Sequence, residues 1–185
     1  MRSFIAIELP DEVKASLAGI QQGLKKSGAD IRWVKTDNIH LTLKFLGDIE
    51  EESVPDIIDV LKGTCKNHKV FSIEISGIGT FPAKKSPRVI WSGIHDNGEL
   101  IKLHAEIEKG LASLGFDTEK RAFAPHLTFG RFRSSHGRDP LMEKIDMMRH
   151  ESFGLFDVIS IYLIKSDLKP SGAVYSRLAE FPLDT

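Results

Sequence analysis

Two short segments of the sequence place the same polar residues between apolar ones. Segment His40–Leu43 reads His-Leu-Thr-Leu, and segment His126–Phe129 reads His-Leu-Thr-Phe. Side chains alternate between the two faces of a β-strand, so the histidine and threonine of each segment share one face and the apolar residues occupy the other. Two such segments arise by chance in roughly one in a thousand chains of this composition. The repeat predicts two strands whose polar faces meet at one cleft.

Two imidazoles and two hydroxyls suit the chemistry of a tetrahedral phosphoryl group. A free imidazole has a pKa of about 6.5, so it can both donate and accept a proton near neutral pH. Histidines on opposite sides of one phosphorus atom can act as acid and base in the same turnover, and hydroxyls can donate hydrogen bonds to its oxygens. The segments therefore predict a phosphodiester substrate, with His40 and His126 catalytic and Thr42 and Thr128 binding the phosphate.

The sequence offers no second site of comparable quality. The other five histidines stand singly among polar neighbours and are expected at the surface: His68, His95, His104, His136 and His150. Cys65, the single cysteine, falls within an apolar helical pattern and is expected to be buried rather than nucleophilic. The sequence lacks the residue spacings typical of zinc sites, so we expect no metal and no other cofactor.

Composition limits the class of protein. The chain has 185 residues, of which 41% are hydrophobic and 28% charged, as expected for a globular protein with one sizeable core. A net charge of -1 disfavours a protein that coats long nucleic acids, whereas binding one phosphate end requires only a local basic patch. The apolar runs are too short to span a membrane, and the chain begins with the strand-like Phe4–Ile7. We expect a cytoplasmic monomer without an obligate protein partner and without membrane association.

Hydrophobic periodicity predicts alternating strands and helices. The predicted helices cover residues 13–24, 50–66, 99–114 and 140–148, and the predicted strands cover residues 4–8, 31–34, 39–46, 70–77, 89–94, 124–132, 155–165 and 174–181. The order strand, helix, motif strand, helix, strand occurs twice without an intervening linker. This order predicts an α+β fold in which residues 1–185 form a single bilobal, internally duplicated domain. Its antiparallel sheets would be related by a pseudo-two-fold axis, with helices outside and the active cleft between the lobes.

The sequence resembles the two-histidine (2H) phosphoesterase superfamily, and within it the RNA 2′,3′-cyclic phosphodiesterases, also called 2′-5′ RNA ligases. The matching segments are Phe4–Ile7, Trp33–Val34, His40–Gly47, Phe81–Pro82, Pro87–Trp91 and Pro125–Arg131. The resemblance implies metal-independent hydrolysis of RNA 2′,3′-cyclic phosphate ends to 2′-phosphomonoesters. It also implies that His40 protonates the departing 3′ oxygen, that His126 accepts a proton from water, and that Thr42 and Thr128 bind the non-bridging oxygens.

Three further residues are candidate substrate contacts. Lys44 shares the predicted face of His40 and would bring positive charge to the phosphate, unless it is simply solvated. By strand alternation, Arg131 lies on the face opposite to His126 unless the strand bulges. A structural salt bridge is therefore favoured over substrate contact. Phe81 lies near Lys84, Lys85 and Arg88, a mixture suited to a single-stranded RNA end. On parity alone, Phe45 and Phe129 are expected in the core.

Two other functions fit the same residues. The ligation of tRNA halves through a 2′-5′ linkage would use the same chemistry in reverse, and no residue distinguishes it from hydrolysis. A non-catalytic module that binds RNA ends or nucleotides is disfavoured because both histidines are present. A metal-binding role for the histidines would leave the threonines unexplained.

Overall fold

The computed structural model describes residues 1–83 and 85–185, so Lys84 lies outside the described residues. Within the described residues, the chain forms nine strands and four helices. The strands are β1 Arg2–Glu8, β2 Ile31–Trp33, β3 His40–Asp48, β4 Phe71–Phe81, β5 Val89–His95, β6 His126–Phe132, β7 Ser152–Val158, β8 Ser160–Lys169 and β9 Gly172–Pro182. The helices are α1 Asp11–Lys25, α2 Val54–Cys65, α3 Glu99–Ala112 and α4 Arg138–Met147.

The strands form two antiparallel sheets, which confirms the predicted α+β fold. The first sheet has the strand order β3-β1-β8-β9, and the second has the order β2-β6-β5-β4-β7. Motif strand β3 is at an edge of the first sheet, and motif strand β6 lies between β2 and β5 in the second. The two motif strands contact each other although they belong to different sheets.

The two halves of the chain are interlocked. In each sheet, the motif strand pairs with an earlier strand of its own half: β3 with β1, and β6 with β5. The first half of the chain contains β1–β4 and the second half contains β5–β9. The next strand in each sheet comes from the other half, because β8 pairs with β1 and β4 pairs with β5. The duplicated order of elements is therefore accompanied by an exchange of strands, and neither sheet is built from one half alone.

Helices cover the outer faces of the sheets and enclose a shared core. Helix α1 packs on β7 and α4 packs on β4, while α3 contacts β3 and α2 contacts β9. The main core contains apolar side chains from both sheets and from all four of these helices. The apolar residues of both motifs belong to it: Leu41, Leu43, Leu127 and Phe129 are buried. A smaller apolar cluster, centred on Phe4, Ala6 and Ile164, lies apart from this core.

The prediction of one strand over residues 155–165 is wrong. Strand β7 ends at Val158 and β8 begins at Ser160, and these two strands belong to different sheets. Ile159, between them, is 60% exposed. Both strands carry apolar residues, so hydrophobicity does not mark the point at which the chain crosses between sheets.

Two of the five histidines expected at the surface are buried, His68 and His104. Their polar neighbours in sequence predicted exposure. His68 instead follows the end of α2, and His104 lies on the buried face of α3, so both side chains point inward. Cys65 is buried as predicted, and burial raises the pKa of its thiol to about 12, which is unfavourable for a nucleophile. In the part of the chain that the structure describes, no helix is both long enough and apolar enough to cross a membrane.

Candidate active site

Both motif histidines are oriented by the same backbone contact. The Nδ1 atom of His40 lies 2.8 Å from the carbonyl oxygen of Asn38, and Nδ1 of His126 lies 2.8 Å from that of Ala124. A carbonyl oxygen only accepts hydrogen bonds, so each Nδ1 carries the hydrogen and donates it. The Nε2 atom of each ring is left to exchange a proton with a ligand. Both histidines are therefore prepared for the same chemistry.

Aromatic rings fix the plane of His40. The imidazole stacks on Phe4, with centroids 4.7 Å apart and an interplanar angle of 24°. Tyr175 meets the same imidazole edge-on at 5.3 Å. Phe4 belongs to the smaller apolar cluster of the first sheet, and Tyr175 packs against it. This cluster therefore forms the wall of the cleft behind His40.

A second aromatic pair surrounds His126. Phe81 meets the His126 ring edge-on at a centroid distance of 5.4 Å, and it stacks on Trp91 at 4.9 Å. Gly79 provides room for this indole, because a Cβ atom at that position would come within 2.5 Å of Trp91. Phe81, predicted from the sequence as a candidate substrate contact, thus lies beside a catalytic candidate and is 41% exposed.

Each threonine lies on the same face of its strand as the motif histidine, and this face is called the cleft face. Thr42 is paired in register with Ala6 of the small apolar cluster, and Thr128 is paired with Trp91. Side chains of directly opposed residues lie on the same face of a sheet. Among the described residues, neither threonine hydroxyl has a hydrogen-bond partner, so both can donate to a ligand in the cleft.

A β-bulge in β3 reverses the expected orientation of the two residues that follow the first motif. Thr42 pairs with Ala6 and Lys44 pairs with Ile5, so Leu43 is an extra residue in this strand. Lys44 consequently shares the core-facing side of Ile5, where it is 7% exposed. The prediction that Lys44 shares the face of His40 is wrong for this reason. The prediction that Phe45 is in the core is also wrong, because the bulge moves it to the cleft face, where it is 72% exposed.

A matching bulge in β6 turns Arg131 toward the cleft. Trp91 pairs with Thr128 and Ile90 pairs with Gly130, so Phe129 is the extra residue. Arg131 then lies opposite Val89, which is on the same face of β5 as Trp91. Arg131 is exposed and forms no ion pair with any residue that the structure describes, contrary to the favoured salt bridge. Counting from each histidine, Phe45 and Arg131 occupy equivalent positions in the two motif strands.

A cavity of about 390 Å³ opens beside His40. Ile164 and Tyr175 contribute apolar surface, while charged side chains surround them: Glu8, Lys14, Lys35, Asp37 and Arg177. Arg177 is paired with Glu8. Among the described residues, no three His, Cys, Asp or Glu side chains are grouped so that they could hold a metal ion.

Sequence comparison places this chain in a known family. The chain matches the family model described as LigT like Phosphoesterase over residues 7–91, which include the first motif. An RNA 2′,3′-cyclic phosphodiesterase from Methanocaldococcus jannaschii is 35% identical over 181 residues, which cover 98% of this chain and 100% of that protein. One from Thermotoga maritima is 37% identical over 181 residues, covering 97% and 94%. The chain belongs to the RNA 2′,3′-cyclic phosphodiesterase family.

Solved structures share the fold of this phosphodiesterase family member. A crystal structure of a protein from Thermus thermophilus superposes with a TM-score of 0.84 at 29% identity, covering 99% of this chain and 98% of the other. The similarity extends over both sheets and both motif strands. The interlocked arrangement of the two halves therefore belongs to a fold already seen in crystals.

Burial and nearby charges affect the protonation of His40 in this family member. Burial lowers the pKa of His40, and this effect outweighs the opposing contributions of the Asn38 carbonyl and of Glu8. Nearby Lys14 lowers the pKa of His40 further. In the free protein, the neutral form of His40 therefore predominates at pH 7. A bound anion next to Nε2 would favour the protonated form.

Sulfate binding is expected to draw a proton onto His40. Sulfate is a tetrahedral anion that carries no proton of its own near neutral pH. Burial lowers the pKa of His40 in the free protein, and the charge of bound sulfate raises it. At pH values between the pKa of the free protein and that of the complex, binding therefore takes up a proton, and sulfate affinity rises as the pH falls. Calorimetry at pH 7 in two buffers of different ionisation enthalpy will show net proton uptake. Equal uptake in wild type and in the His40→Gln variant would contradict this expectation.

Proposed function

We propose that this protein hydrolyses 2′,3′-cyclic phosphodiester ends of RNA to 2′-phosphomonoesters. The observation that carries the proposal is the matched orientation of the two histidines, each with Nδ1–H donated to a backbone carbonyl and Nε2 free. The two motif strands contact each other, and each also presents a threonine hydroxyl on its cleft face. Relatives of nearly the same length are named RNA 2′,3′-cyclic phosphodiesterases.

The proposed reaction is one in-line displacement at phosphorus. Nε2 of His126 accepts a proton from water while the water oxygen bonds to phosphorus. The bond from phosphorus to the 3′ oxygen breaks, and Nε2 of His40 gives that oxygen a proton. Resemblance to the family, rather than any asymmetry in the hydrogen bonds, determines which histidine is the acid. Neutral His40 in the free protein implies that the substrate anion promotes its protonation.

The threonines would bind the non-bridging phosphoryl oxygens during this step. A donor hydrogen bond to these oxygens stabilises the charge that they carry in the transition state. We propose that the reaction requires no metal ion. The two imidazoles perform both proton transfers, and the hydroxyls of Thr42 and Thr128 supply the hydrogen bonds to the phosphoryl group.

The residues around the phosphate position suit a nucleotide. Phe45 and Phe81 are exposed aromatic side chains on the cleft, and stacking a base on an aromatic ring contributes about 1–3 kcal/mol. Arg131 can contact a phosphate oxygen from the second motif strand, where the bulge places it on the cleft face. The partner that we propose is therefore an RNA end bearing a 2′,3′-cyclic phosphate, with the ends of tRNA halves as one example.

The proposal is tested with an oligoribonucleotide that ends in a 2′,3′-cyclic phosphate, incubated with the protein in EDTA. Phosphorus NMR should show conversion to a terminal 2′-phosphomonoester. Absence of turnover, a 3′-phosphate product or a requirement for added metal would each contradict the proposal. Tight binding of the oligonucleotide without turnover would instead identify a binding module. With an added 5′-hydroxyl oligonucleotide, a joined product in place of hydrolysis would identify a 2′-5′ ligase.

A further inference from the structure

A buried ion pair lies directly behind the first motif strand. Nζ of Lys44 donates a hydrogen bond to Oε1 of Glu108 on α3 at 2.7 Å, and both side chains are more than 90% buried. The bulge at Leu43 allows Lys44 to reach this helix. Replacing a buried ion pair with apolar residues is often neutral for stability, so stability alone does not explain the pair.

Both members of the pair also hold the segment that leads into the second motif. Nζ of Lys44 donates to the carbonyl oxygen of Asp117 at 2.8 Å. Oε2 of Glu108 accepts a hydrogen bond from the backbone N–H of Glu119 at 3.0 Å. The segment of residues 117–125 has no regular secondary structure, and most of its side chains are exposed. Its position therefore depends strongly on these contacts.

An aromatic contact holds the same segment at a point closer to His126. The imidazole of His104, one turn before Glu108 on α3, stacks on Phe123 with a centroid distance of 3.9 Å and an interplanar angle of 5°. Burial lowers the pKa of His104, so a neutral ring lies against Phe123. The next residue, Ala124, supplies the carbonyl that accepts the Nδ1 hydrogen of His126.

We propose that Lys44 and Glu108 are positioning residues for His126. They connect the strand that carries His40 to the segment that contains Ala124, and so fix the carbonyl that orients the second imidazole. Lys44 therefore influences the reaction from behind the sheet and makes no contact with the phosphate. The kinetic part of this inference rests on the proposed phosphodiesterase function, whereas its structural part does not.

The structural test is proton NMR of the two Nδ1 hydrogens in the Lys44→Met, Glu108→Leu double variant. An apolar pair should preserve folding while removing both contacts to the segment. We expect the His126 Nδ1 hydrogen to exchange faster with water, by at least about tenfold, while that of His40 is unchanged. His40 is an internal control because its acceptor, Asn38, lies outside the segment. Unchanged exchange at His126 in the folded variant would overturn the inference.

The kinetic test uses the same variant on a cyclic phosphate end. Small displacements of a catalytic group can reduce rates by up to about 100-fold, so we expect kcat to fall about 10- to 100-fold with KM within about threefold of wild type. The matched control replaces Lys102 with Met and Glu99 with Leu, an exposed ion pair on the same helix that should not affect kcat. Wild-type kcat in the folded Lys44→Met, Glu108→Leu variant would overturn the inference. Inactive wild-type protein would instead refute the proposed function and leave the NMR test decisive.

A second variant covers the case in which the double variant does not fold. Glu108→Gln preserves the volume of the side chain and an oxygen acceptor for Lys44, but an amide nitrogen replaces the oxygen that accepts the Glu119 N–H. We expect the same pattern in this folded variant, with faster exchange at His126 only and a lower kcat. Normal exchange and normal kcat in Glu108→Gln would overturn the inference.

Discussion

Replacing His126 with alanine will lower kcat for a cyclic phosphate end by about 10²- to 10⁴-fold, the contribution typical of general acid or base catalysis. The same range is expected for His40→Ala. In the proposed mechanism, each imidazole exchanges a proton through Nε2, which stays available because Nδ1 donates its hydrogen to a backbone carbonyl. Steady-state kinetics at saturating substrate, with circular dichroism as a check on folding, will measure the loss.

The control for this prediction is His150→Ala, which removes an exposed histidine outside the cleft and should leave kcat within about twofold. Added imidazole should partly restore the His126→Ala variant, because free imidazole can accept a proton in place of the missing side chain. A His126→Ala variant with more than half of wild-type kcat would exclude His126 as the catalytic base.

Replacing Thr128 with valine will lower kcat/KM by about 10²-fold or more, because the hydroxyl that would bind a phosphoryl oxygen is exchanged for a methyl group of similar size. Thr42→Val should have a comparable effect, since both hydroxyls lie on cleft faces without other partners in the described chain. Rates should be measured with the same cyclic phosphate oligonucleotide used for the histidine variants.

Serine at the same two positions provides the matched comparison. Thr128→Ser and Thr42→Ser retain the hydroxyl and should keep at least about one tenth of the wild-type kcat/KM. Loss of activity in the serine variants equal to that in the valine variants would show that the threonines act through packing. Near-normal activity in both valine variants would exclude the hydroxyls from phosphate binding.

The predictable part of the site comes from strict alternation within each motif. From His40 to Leu43 and from His126 to Phe129, polar and apolar residues alternate, and the apolar members are buried as predicted. Burying the apolar residues fixes the register, so the polar residues must face the cleft. The α+β class could likewise be predicted, because the strand and helix periods are clear along most of the chain.

Alternation fails one residue after each motif. The bulges at Leu43 and Phe129 each insert an extra residue, which reverses the faces of the side chains directly after it. Lys44 is buried and Phe45 is exposed for this reason, and Arg131 faces the cleft. Bulges depend on pairing with a neighbouring strand, here β1 or β5, and local sequence does not contain that information. The sequence left a bulge open only for Arg131.

Hydrophobic periodicity also could not predict the exchange of strands between the two halves of the chain. Strands β4 and β8 carry ordinary strand patterns, and the pattern does not specify which sheet each one joins. The burial of His104 has the same origin, because its partner Phe123 is distant in sequence. Long-range pairings of this kind create the site, since they bring the two motif strands into contact.

In the proposed mechanism, His40 and His126 act on opposite sides of one phosphorus atom. The most direct measurement is the stereochemical course of the reaction, using a terminal 2′,3′-cyclic phosphorothioate of one configuration opened in ¹⁸O-labelled water. A single in-line displacement, with a base behind the entering oxygen and an acid behind the leaving one, predicts inversion at phosphorus. Retention of configuration would require two displacements through a covalent intermediate, and it would contradict this mechanism.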